Sequence, residues 1–181
     1  MKRRLFCVAL VSVCALSACA SLTERSLSAA WGQWRHGSQG AAIDLASAEL
    51  KRYLDANDLD EKEVASTASQ AFETLEETPL IDGLSQGAPN ALKMLNSGPS
   101  TLVKELQKDL KSDESVRVMR GLQSVKNLSL QENALQVLAI IYRRTPYQDT
   151  LNFFPSVSPA LRSVSVKWAA LTTLKRLTKN E

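Results

Sequence analysis

Cysteine is scarce in this chain of 181 residues: Cys7, Cys14 and Cys19 are the only three, and none lies beyond position 19. A domain built from the later residues has no thiol for a disulfide, a thiolate nucleophile or a cysteine-ligated metal. Histidine is scarcer still, with His36 alone, which leaves little scope for zinc or iron. Neither cofactor nor metal is expected. Glycine and proline are few, seven and six, and three of each crowd into residues 79–100. The rest of the chain is left with few helix breakers. No alternating strand pattern of useful length occurs; Val164-Ser165-Val166 alternates only inside a good helical stripe. No later apolar stretch approaches the twenty or so residues of a membrane-spanning helix. The longest, Ala134 to Tyr142, has nine residues and contains Gln136.

What is present begins at the N-terminus. Lys2, Arg3 and Arg4 precede an apolar run of twelve residues, Leu5 to Leu16, which Leu16-Ser17-Ala18-Cys19 closes with small residues. This is the positive region, apolar region and small-residue cleavage site of a secretory signal, too short to span a bilayer. Because the site ends on a cysteine, the segment resembles the lipobox of bacterial lipoproteins. The resemblance covers the first twenty residues. It implies cleavage before Cys19, diacylation of its sulfur and acylation of the new N-terminus. It also implies a membrane attachment made by lipid, which is stable once two or more chains are carried. Ala20 stands where an Asp retains enteric lipoproteins at the inner membrane, so the resemblance points to the outer membrane with the domain facing the periplasm.

Removing residues 1–18 changes the charge balance. The whole chain carries 22 basic and 19 acidic side chains, and Lys2, Arg3 and Arg4 account for the excess. The remaining chain is balanced, which argues against a nucleic-acid partner. At 163 residues, 19–181 suffice for one domain with a real core. The expected organisation is a signal peptide over 1–18, a lipidated tether rich in Ser, Gly and Gln over 19–40, and a single helical domain over 41–181.

That domain reads as helix after helix. Ile43, Ala46, Leu50 and Tyr53 recur at steps of three and four. After Asn57-Asp58, Asp60 and Glu63 form a capping-box-like start to a helix carrying Val64, Ala68, Ala71, Phe72 and Leu75, which Pro79 ends. A short helix is expected over Pro89–Leu95. Another runs from Ser100 to Lys111 with Leu102, Leu106 and Leu110 aligned, and another from about 113 with Val118, Met119, Leu122 and Val125. Ser129-Leu130-Gln131-Glu132 predicts a capping box before a central, buried helix ending near Arg144. Tyr147–Phe154 predicts one or two turns. The last helix, Ala160–Thr178, presents Leu161, Val164, Trp168, Leu171 and Leu174, with Lys175, Arg176 and Lys179 near its negative end. The expected fold is all-α, an irregular helical bundle or stacked helical hairpins of about six or seven helices.

Several constellations bear on chemistry. Gly83-Leu84-Ser85-Gln86-Gly87 spells a nucleophile elbow, but that motif needs a preceding strand and a downstream histidine. Pro79-Leu80-Ile81-Asp82 is a poor strand and His36 lies upstream. Leu84-Ser85-Gln86 faintly resembles a segment of lytic transglycosylases, without that family's catalytic Glu-Ser, so no catalytic residue is assigned. Residues 55–60 superficially suggest a calcium loop, but Leu59 and Asp60 occupy the positions that need an oxygen ligand and a glycine. The acid pairs Glu76-Glu77 and Asp113-Glu114 have the character of solvated helix ends.

The residues that suggest recognition are Trp31 and Trp34, with Arg35 and His36 beside them, and Arg143-Arg144 with Tyr142, Tyr147, Phe153 and Phe154 nearby. Trp and Arg are common anchors at interfaces, and Trp also favours the lipid–water boundary. The competing expectation for the two tryptophans is that they fold back over the core. The reading that follows is a non-enzymatic protein held at the outer membrane through Cys19. It binds an envelope protein as an accessory or assembly factor, in the manner of secretion pilotins. Trp31, Trp34, Arg143, Arg144 and Tyr147 are the candidate contacts. The alternatives are an enzyme acting on cell wall or lipid, and a periplasmic inhibitor or immunity lipoprotein.

Overall fold

A computed structural model of the chain describes residues 22–77, 99–143, 145–149, 153–154 and 157–178. The protein is all-α. Among the described residues there are seven α-helices and one 3-10 turn, and the only β pairing is an isolated parallel bridge between Glu114 and Gln148. The helices are α1 (22–35), α2 (Gln39–Ala56), α3 (Glu61–Glu77), α4 (Pro99–Leu110), α5 (Ser115–Leu128), α6 (Ala134–Tyr142) and α7 (Pro159–Leu177), with the 3-10 turn at Gln131–Asn133.

The first helix corrects the expected tether. Residues 22–35 are helical, and Leu27, Ala30 and Trp34 are core residues. Their i, i+3, i+7 spacing makes a narrow apolar stripe. The Ser, Gly and Gln content around it concealed that stripe. Gly37 ends α1. Its φ of +79° is the left-handed conformation that glycine adopts without steric cost. Its N–H donates to the Trp34 carbonyl at 3.2 Å, and the Ser38 N–H donates to Gln33 at 2.9 Å. These two bonds form a Schellman motif. The helical fold therefore begins by residue 22, not at 41.

The α2–α3 corner repeats the device. Asp58 (φ 51°) is left-handed, the Leu59 N–H donates to Leu54, and Asp60 Oδ2 accepts from the Glu63 N–H at 3.2 Å. Asp60 is thus the predicted N-cap. At the end of α5 the expectation fails. Ser129 does not cap the following helix; it is the left-handed terminator of α5 (φ 52°), with the Leu130 N–H returning to Val125. The chain then makes the 3-10 turn before α6 starts. A Ser ahead of a Glu suits either role, and the tight reversal between α5 and α6 decided for the C-terminal one.

The core gathers around α7, which packs against α2, α3, α5 and α6. Pro159 sits at its first turn and Ser158 Oγ accepts from the Leu161 N–H at 3.1 Å. α7 is buried on nearly every side, so it shares the central place expected for α6 alone; Trp168, expected on its inner face, is partly buried and packs against the core. α6 itself is buried as predicted. α4 pairs with α5, where a Cβ on Gly121 would lie 3.1 Å from Leu110 Cδ2, so glycine permits the close approach. The described part of the expected 147–154 turn is not helical: 145–149 runs extended beside the start of α5, with Ser115 N–H bonded to Gln148 O and Gln148 N–H to Asp113 O. The expected helix over 89–95 and the Gly83–Gly87 motif lie outside the described residues.

Candidate functional site

Three residues of α6, Gln136, Ala139 and Ile140, share one helical face at i, i+3, i+4, and Arg143, the extended residue that ends the helix, continues it. That face forms one wall of a cleft of about 250 Å³, which Leu110, Lys111 and Ser112 close from the end of α4, and Thr145 and Tyr147 from the extended segment. The walls mix the apolar Leu110, Ala139 and Ile140 with the polar Ser112, Gln136 and Thr145, and Lys111 and Arg143 stand exposed at the rim. Arg143 Nε lies 3.3 Å from Glu24 Oε1 of α1, an exposed pair of small energetic weight. Gln136 Oε1 is buried and has no hydrogen-bond partner.

The extended segment is clamped onto the bundle, which makes the cleft a formed feature. Ser115 Oγ donates to the Asp149 carboxylate, and Arg162 of α7 pairs with the same carboxylate. Arg162 Nε meets Asp149 Oδ2 as an ion pair without hydrogen-bond alignment. The Arg162 Nη1 donates to the Tyr147 carbonyl at 3.0 Å. Below them Lys167, fully buried, donates from Nζ to the carbonyls of Ile141 (2.7 Å) and Arg143 (2.9 Å) and lies 4.4 Å from the centroid of the Tyr53 ring. The Ile141 carbonyl belongs to the last turn of α6, whose carbonyls have no partner within their own helix, and the Arg143 carbonyl follows directly after it. A cation there also opposes the negative end of the helix dipole.

Burial pushes the Tyr147 hydroxyl well above the usual phenol range; the Tyr53 and Asp113 side chains add to that, against a hydrogen bond with Thr145. Tyr142 is likewise raised by burial, to about 12, with Glu49 adding and Arg52 opposing. Both phenols are neutral at physiological pH. The cleft therefore offers a partly apolar pocket, a neutral phenol at its wall and two cations at its mouth. That combination suits an apolar side chain next to a carboxylate or carbonyl oxygen. Among the described residues no group of three His, Cys, Asp or Glu side chains is placed to hold a metal ion.

Of the expected contact residues, the structure brings Arg143 and Tyr147 together in this cleft. Trp34, at 6 % exposure, is a core residue, as the expectation that it folds back over the core has it, and as a candidate contact it is corrected, since almost no indole surface is left for a partner. Trp31 is half-buried against the core. Cys19 and Arg144 lie outside the described residues. Sequence reasoning missed Lys111, Gln136 and Lys167. Gln136 was visible as the one polar residue in its helix, and Lys167 as the lone charge between Arg162 and Lys175. No protein-family model, curated protein or solved structure matches the chain.

Proposed function

We propose that the protein is an outer-membrane lipoprotein whose helical domain faces the periplasm and binds another envelope protein as an accessory or assembly factor. The observation that carries this reading is Leu16-Ser17-Ala18-Cys19, closing a twelve-residue apolar run behind Lys2-Arg3-Arg4. No described helix is long and apolar enough to cross a membrane, so the lipid is the means of attachment available to the described domain. Confinement near a surface raises the effective concentration of the domain toward any membrane-bound partner. The cleft supports recognition: it has walls of mixed apolar and polar side chains, two rim cations and a preformed shape held by the Ser115–Asp149–Arg162 clamp.

The test joins the anchor and the cleft. Cys19→Ser abolishes acyl labelling and releases the domain from membranes. A photocrosslinker at Thr145, on the cleft wall, captures one envelope protein from cells carrying the lipidated chain and captures it less well from cells carrying Cys19→Ser. Acyl labelling that survives Cys19→Ser removes the anchor, and a cleft crosslinker that captures nothing specific removes the partner.

A further inference from the structure

The described part of α1 begins three residues after Cys19, and α1 is part of the core. Three peptide units span at most about 11 Å between Cα atoms, whatever their conformation. This is comparable to the headgroup layer, about 5–8 Å on each side of the hydrocarbon. A lipidated Cys19 therefore leaves no length for the domain to stand off. Whatever lies at the first turn of α1 is held against the bilayer.

That turn has the surface for it. Among the described residues only three large apolar side chains are exposed, Leu22 (58 %), Leu45 and Leu128, and Leu22 is the first described residue after the anchor. Arg25 is also exposed and lies three positions on, beside Leu22 on the helix surface. Both point away from the Leu27–Ala30–Trp34 stripe that α1 buries. Arg143, at the rim of the cleft, lies beside the same turn, 3.3 Å from Glu24. An apolar side chain with a long cation beside it matches the boundary between acyl chains and phosphates, where such a cation lies along apolar surface and keeps its charge in water.

We infer that the first turn of α1 is a membrane-contact surface, with Leu22 entering the interface of a phospholipid bilayer and Arg25 and Arg143 at the level of its phosphates. This rests on acylation of Cys19. The domain then works flush with the membrane, and its cleft opens next to the headgroups, where it meets segments emerging from the bilayer. The partner of this surface is lipid, not a second protein.

The full lipidated chain in its own membranes supplies the test. With Cys7 and Cys14 cleaved away and Cys19 blocked, a cysteine introduced elsewhere is the only thiol. An environment-sensitive fluorophore is placed in turn at Leu22→Cys, Leu45→Cys and Leu128→Cys, three exposed leucines serving as matched sites. Nitroxide-headgroup lipids are expected to quench the label at 22 severalfold more than the labels at 45 and 128. Leu22→Glu is expected to leave the protein on membranes while a label at Lys111→Cys, beside the cleft, loses most of its quenching. Equal quenching at all three sites, or none at 22, on protein that still floats with membranes overturns the contact surface and leaves the anchor standing. Thiol labelling of the unsubstituted mature chain means that Cys19 is free, which overturns the anchor and this inference together.

Discussion

Lys167 has no exposed surface, and its ammonium is the only charge in α7 between Arg162 and Lys175. Desolvating it costs several kcal/mol, and what offsets that cost is two helix-terminal carbonyls and the face of Tyr53. Lys167→Met keeps most of the volume but strands the carbonyls, so the expected loss is about 1–3 kcal/mol. Lys167→Ala adds a cavity, and the expected loss rises to about 3–5 kcal/mol. Chemical denaturation of both variants checks the order; a methionine variant as stable as the parent would show that the carbonyls find other donors. The buried phenols behave differently. Because folding raises the Tyr142 pKa from 10.0 to about 12, the folded state favours the neutral form. That contribution is complete below pH 10 and is lost as pH rises through 12, with Tyr147 acting in the same direction. Stability followed across that window should fall together with the appearance of tyrosinate absorbance.

At the scale of the element, α1 separates two accounts of the N-terminal region. A tether would tolerate truncation of its tryptophans. A core helix does not: Trp34→Ala is expected to cost about 3–5 kcal/mol, read as a drop in the denaturation midpoint, whereas a tether predicts no change. Helix ends show what was legible locally. Ser158, which caps α7, was not singled out, whereas Asp60 was readable as a cap because a cap bonds within its own first turn. Ser129 was not, because its side chain suits the start of α6 as well as the end of α5. Only the path of the chain across that reversal put it at φ 52°.

For the whole molecule, the position of α7 among four other helices makes it the last element to open. Amides in its buried middle, 164–174, are expected to exchange only through global unfolding, and those of the first turn of α1 through local fraying. Hydrogen exchange measured segment by segment checks this; early exchange in α7 would mean that the bundle opens in separate parts. The cleft belongs to this scale too. Arg143 and Tyr147 were visible as an aromatic and basic cluster near one helix end, but Lys111 is far away in sequence and joins them only when α4 meets α6.

From the sequence by itself came the helical class, most helix positions and several of their ends, because helix bonds, capping groups and apolar stripes act within a few residues of one another. The tertiary structure alone decided that 22–35 joins the core, that a lysine is enclosed in α7, and that a cleft forms beside Arg143. Each of these depends on which surfaces lose their water against distant parts of the chain, and no local pattern carries that information.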